Sequence, residues 1–205
     1  MLASGAAFCR VLRRPMISAD LLLHAYRSGA FPMATPGGEI AWFSPDPRAI
    51  IPLDGGFHIP HGLLRTLKKN VFEIRINAGF EEVMLGCAGR EETWINKEVF
   101  ESYMNLHRLG HAHSVEAWRE GRLAGGLYGV AVGGAFFGES MFHRETDASK
   151  VALTGLVTRL RERGFQLLDT QWSTPHLRTF GTTEISRAAY VRRLKAALAV
   201  ECRFA

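Results

Sequence analysis

The chain has 205 residues, 47% of them hydrophobic and 22% charged, and a formal net charge of +5 that permits a polyanionic partner without demanding one. This composition excludes disorder and suits one core with a small satellite, and no apolar run approaches the roughly 20 residues that a membrane helix needs. Cys9, Cys87 and Cys202 are odd in number, widely spaced and free of a CxxC pair, which argues against a disulfide framework or structural zinc and favours a reducing cytoplasm.

Residues 1–19 contain no acid and carry Arg10, Arg13 and Arg14. They lack the apolar core of a secretory signal, so residues 1–15 read as a start-site extension or a disordered basic arm rather than a transit peptide. Ser18 is placed to cap a helix over 19–28, which Gly29 ends. Prolines and glycines then crowd residues 32–60, so strands near 40–43 and 49–52 must be brief, and a small α/β unit over 1–57 is expected to give way to a larger one over 58–205. The larger unit opens with a helix over 62–69, a strand near 72–76 and a helix over 78–88. Asn96 can cap a helix in which Val99, Tyr103 and Leu106 form one stripe. Strands over 114–118 and 122–130 flank the hairpin signal Arg119-Glu120-Gly121, and 133–137 continues the sheet. Five glycines between Gly125 and Gly134 predict bulges or close backbone approach. An amphipathic helix over 148–163, a strand over 165–168 and a last helix over 185–200 complete an α+β pattern, a sheet with helices on both faces.

The strand at 165–168 delivers Asp169 and Gln171 where it ends. Residues two apart on a strand share a side, so this acid and carboxamide can face one substrate and handle a proton or orient a carbonyl. A buried Asp that satisfies loop amides is the competing reading. Glu139 stands in an apolar segment between Phe137 and Met141, where a lone carboxylate needs a cation; Lys150 and Arg187 are candidates for an internal one.

Several ordered blocks decide the matter. Trp42-Phe43-Ser44-Pro45-Asp46-Pro47-Arg48, Thr93-Trp94-Ile95, Gly110-His111-Ala112-His113-Ser114-Val115-Glu116, Gly138-Glu139-Ser140-Met141-Phe142, Ala148-Ser149-Lys150 and Asp169-Thr170-Gln171 occur in one order. From about Asp20 to Leu194 the chain resembles the leucyl/phenylalanyl-tRNA–protein transferases. The resemblance implies a small N-terminal domain joined to an acetyltransferase-like (GNAT) domain with a mixed sheet flanked by helices. It implies transfer of leucine or phenylalanine, with methionine a further candidate, from aminoacyl-tRNA to proteins beginning with Arg or Lys, marking them for N-end rule degradation. Neither ATP, a metal nor another cofactor is chemically required, because the ester is already activated. Asp169 and Gln171 would be the catalytic pair, and Glu139 would receive the basic acceptor. Leu127, Phe136, Leu156, Leu160 and Leu168 would form the aminoacyl pocket, although each also suits the core.

Trp94 and Trp42 would stack on the terminal adenosine. Met33 departs from the tryptophan many members carry there; a thioether packs on a base without stacking like an indole. For the tRNA body the candidates are Arg65, Lys68 and Lys69, with a second group at Arg187, Arg192, Arg193 and Lys195. The run His107, His111, His113 has a metal-like look but spans a helix end and a strand start, so structural roles are favoured. Runner-up readings are the same transfer to Asp or Glu N-termini, an acyl-CoA-dependent acyltransferase, which lacks its pyrophosphate-binding glycine loop here, and a non-enzymatic RNA-binding module. A cytoplasmic monomer is the default expectation.

Overall fold

The computed structural model describes residues 16–90 and 93–205. The N-terminal arginines and the expectations for residues 1–15 lie outside the described residues. Helix α1 (Ala19–Arg27) begins at Ser18, whose hydroxyl accepts from the Leu21 amide as its sequence position predicts. Strands β1 (Phe31–Ala34) and β2 (Ile40–Phe43) pair antiparallel into a small two-stranded sheet. Strand β3 (Arg48–Ile51) then leaves it for the large sheet. The change of sheet thus falls between Phe43 and Arg48, and apolar Ala49, Ile50 and Ile51 are buried on both sides of their strand.

The following elements are α2 (His61–Lys69), β4 (Glu73–Ile76), α3 (Phe80–Ala88), α4 (Lys97–Arg108), β5 (Ala112–Arg119), β6 (Arg122–Val132) and β7 (Ala135–His143). Then come α5 (Ala148–Glu162), β8 (Leu167–Gln171), the single turn α6 (Pro175–Arg178), β9 (Thr183–Ile185) and α7 (Arg187–Leu198). The large sheet has seven strands in the order β4-β5-β6-β7-β8-β3-β9. All its neighbours run antiparallel except β7 and β8, which are parallel with α5 as their crossover. This is the mixed α+β sheet expected.

Local chemistry explains the regular parts. Asn96 caps α4 by accepting from the Val99 amide, and the stripe Val99, Tyr103 and Leu106 is fully buried. Glu120 and Gly121 both take positive φ, giving the β5–β6 hairpin a tight two-residue turn. The Glu116 carboxylate, itself buried, accepts from the amides of Ala78 and Gly79 and so caps the start of α3 where no residue of that segment does.

Helices cover both faces. A side-chain carbon at Gly125 would strike Ala148 of α5, and one at Gly126 would press on Val83 of α3, so the two glycines let opposite helices close on β6. A bulge follows between Tyr128 and Gly129, as the glycine run predicts. One core lies between the sheet and α1, α3, α4 and α7; the other lies under α2 and α5.

Candidate active site

Strands β7 and β8 pair only over Ala135–Leu167, Phe136–Leu168 and Phe137–Asp169, after which they part. A cleft of about 330 Å³ opens in the split, walled by Glu139 and Met141 of β7, Leu168 and Thr170 of β8, Leu153 and Leu156 of α5, and Leu127 of β6. Of the five apolar residues expected to form the pocket, Leu127, Leu156 and Leu168 line it. Phe136 and Leu160 are fully buried in the core behind it. Phe136 lies where the two strands are still joined and packs on Phe204, 5.0 Å between ring centres, and Leu160 sits a turn beyond Leu156, away from the split.

Glu139 faces the cleft from β7. The Tyr26 hydroxyl donates to its Oε1 at 2.7 Å, the Tyr103 hydroxyl to Oε2 at 3.1 Å, and Gln171 Nε2 to Oε1 at 3.0 Å. The two tyrosine hydroxyls also hydrogen-bond each other. Burial, reinforced by the charge of Asp169 and opposed by the tyrosine hydrogen bonds and Arg48, pushes Glu139 up to about 7. Neither expected internal cation reaches it: Lys150 pairs with Asp147 at 2.7 Å, and Arg187 binds the Ser44 carbonyl.

Asp169 lies one layer deeper, with no exposed surface. Arg48 grips it through Nε at 2.9 Å to Oδ1 and Nη2 at 2.7 Å to Oδ2. The Tyr190 hydroxyl donates to Oδ2 at 2.7 Å and the Gln171 amide to Oδ1 at 2.9 Å. Arg48 is 1% exposed, gives Nη1 to the Gly29 carbonyl, and lies between the rings of Phe31 and Tyr190. Strand β8 runs on to Gln171, so the pair stands within the strand and not past its end. Against β3, Ile50 faces Asp169 while Ala49 faces Gln171, which leaves Thr170 as a bulge, and Gln171 takes φ +63°. Positive φ is uncommon for a residue with a side chain. Here the Asp169 carboxylate holds the turn by binding the Gln171 amide, and the bulge aims the carboxamide at Glu139.

Trp94 lines the cleft. Trp42 and Met33 lie outside its lining, on the β1–β2 hairpin, where Met33 faces Ala41 and Trp42 is 42% exposed. Arg65, Lys68 and Lys69 are exposed along α2, which touches the start of α5 through the Thr66–Asp147 hydrogen bond. His107 stacks on Phe80 at 4.0 Å, and His113 bonds Asn77, with burial holding it down to about 4. Sequence reasoning passed over Arg48, Tyr26, Tyr103 and Tyr190. The legible signal was Arg48 itself, a cation opening the apolar strand Ala49-Ile50-Ile51, which must find a buried acid.

An apolar cleft between two diverging strands, edged by a carboxylate that burial pushes up to about 7 and that a buried carboxamide holds from behind, is the equipment of an acyl-transfer enzyme. It can hold an acyl chain and take a proton from a nucleophile beside it. Residues 50–195 match the family described as leucyl/phenylalanyl-tRNA protein transferase, and residues 16–46 match that family's N-terminal domain. The chain is 56% identical over 186 residues to the leucyl/phenylalanyl-tRNA–protein transferase of Akkermansia muciniphila, covering 89% of this chain and 96% of that one. To the protein of the same name from Rubrobacter xylanophilus it is 55% identical over 190 residues, 92% of this chain and 99% of that one. It is also similar to the structure of L-PGS from Bacillus licheniformis, with a TM-score of 0.42 and 13% identity over 87% of this chain and 57% of the other. The chain belongs to the leucyl/phenylalanyl-tRNA–protein transferase family.

Proposed function

We propose that this protein transfers leucine or phenylalanine from aminoacyl-tRNA to the α-amine of proteins beginning with Arg or Lys, and so marks them for N-end rule degradation. The observation that carries the transfer reading is Glu139: a carboxylate at an apolar cleft, hydrogen-bonded but without a cation of its own among the described residues, invites the α-ammonium of an acceptor, while the preference for Arg or Lys at that terminus rests on the family resemblance. The donor side chain occupies the cleft against Leu127, Leu156 and Leu168, and Trp94 stacks on the terminal adenosine.

An α-ammonium titrates at roughly 7.7 to 8.0. Against a carboxyl near 7, moving the proton to Glu139 costs about one unit, roughly 1.4 kcal/mol, which is no obstacle to turnover. The neutral amine then forms the new C–N bond at the ester carbonyl as the C–O bond to the ribose breaks; the proton held by Glu139 passes to the leaving oxygen, and the freed carboxylate takes the second proton that the new amide nitrogen sheds and releases it to water. Gln171 orients the carboxylate and offers its carbonyl oxygen to the amine. Asp169, with both oxygens occupied, positions Gln171 and does not move a proton.

The test is transfer of labelled amino acid from Leu-tRNA and Phe-tRNA to peptides beginning with Arg, Lys, Asp, Glu or Ala. Label is expected on the Arg and Lys peptides. Transfer confined to Asp and Glu peptides would replace the acceptor assignment, and an enzyme that used acyl-CoA but neither tRNA would overturn the reading.

A further inference from the structure

A second and wider trough, of about 890 Å³, runs beside the aminoacyl cleft between the end of α3, the end of β7 and the start of α5. It shares Arg90, Met141 and His176 with the cleft, so the two form one continuous surface. Among the described residues its charged lining is Arg90, Arg144 and Lys150 against one acid, Asp147, which Lys150 already pairs with at 2.7 Å, and His143 and His176 add their imidazoles. Arg90 and Arg144 meet no carboxylate among the described residues. Arg90 reaches only the Ser140 hydroxyl at 3.5 Å, and Arg144 donates to the Leu123 carbonyl with its guanidinium over the Phe142 ring. The same positive field acts on His176, held below its ordinary pKa first by burial and then by Lys150 and His143.

A surface with this charge repels an acceptor that carries an ammonium and a basic side chain, and it attracts phosphate. A donor whose amino acid sits in the cleft must leave by a path that this trough offers. We propose that the trough binds the phosphodiester strand of the donor RNA immediately 5′ of its terminal nucleoside, with Arg90 and Arg144 as its principal contacts. The inference rests on the aminoacyl-tRNA reading and deepens it. A coenzyme A pyrophosphate has related chemistry and forms the competing arm of the test.

The experiment compares wild type with an Arg90→Gln/Arg144→Gln double variant on two donors, Leu-tRNA and 3′-O-leucyl-adenosine, which has no phosphate. The ratio of the KM for Leu-tRNA to that for leucyl-adenosine is expected to rise at least about tenfold, since two charge-assisted contacts are lost. The slope of log KM for Leu-tRNA against log salt is expected to fall by about 1.4, from roughly 0.7 per cation on a single strand. A CCA trinucleotide should compete with Leu-tRNA, and coenzyme A should not. An unchanged ratio, an equal rise for both donors, or competition by coenzyme A alone would overturn the proposal. Wild-type protein inactive with both donors would instead overturn the transfer reading on which it stands.

Discussion

Arg48→Ala is expected to cost roughly 3–5 kcal/mol of folding stability, the loss typical when one partner of a buried ion pair is removed. The magnitude follows from what is left behind. Asp169 has no exposed surface, and without Arg48 its charge keeps only the Tyr190 hydroxyl and the Gln171 amide. The Gly29 carbonyl loses its donor as well, and the space between the Phe31 and Tyr190 rings empties. Urea unfolding followed by circular dichroism measures the effect as a lower midpoint. Arg48→Met combined with Asp169→Asn removes both charges and should recover a large part of the loss. A cost below about 1 kcal/mol for Arg48→Ala would show that the buried pair does not anchor this end of the sheet.

Glu139→Gln is expected to lower transfer by about 10²- to 10⁴-fold, the range for loss of a proton acceptor, with the KM for Leu-tRNA little changed. It is also expected to make the protein more stable above neutral pH. The folded pKa of Glu139 is raised, so below its unfolded value the neutral carboxyl sits in the fold without penalty, and stability is lost as pH rises through about 7. A glutamine never ionises. The melting temperature of the variant relative to wild type should therefore be higher at pH 8 than the same difference at pH 5. A variant that is both less active and less stable at pH 8 would point to a structural role for the carboxylate instead.

How much of this was legible depended on the range of the interactions involved. The Ser18 and Asn96 caps, the Glu120-Gly121 turn and the apolar stripe of α4 follow from neighbours a few residues apart, and the sequence displays them directly. Strand β9 is short and takes its form from β3, far along the chain, so local patterning is silent about it, while β1 pairs with its neighbour β2 but carries Pro32, which hides a four-residue strand. Period-two alternation places Asp169 and Gln171 on one side of a strand. The Thr170 bulge, set by register against β3, separates their tasks, with Asp169 in the core and the Gln171 carboxamide turned to the cleft carboxylate. Arg48 and Asp169 stand 121 residues apart, a separation at which no spacing rule operates. Glu139 was legible as a carboxylate in apolar surroundings. That two tyrosines from α1 and α4 would hold it, in place of a cation, needed the helices' packing.

The most direct test of Glu139 as the group that meets the amine is the pH dependence of leucine transfer under saturating Leu-tRNA and Arg-initiated peptide, in wild type and Tyr103→Phe. The Tyr103 hydrogen bond favours the ionised carboxylate, so its loss raises the pKa of Glu139. Wild-type transfer should fall as pH drops through about 7, and in Tyr103→Phe the fall should begin at higher pH. An acid limb that stays at the same pH in both proteins would assign it to the substrate amine alone and contradict the role given to Glu139.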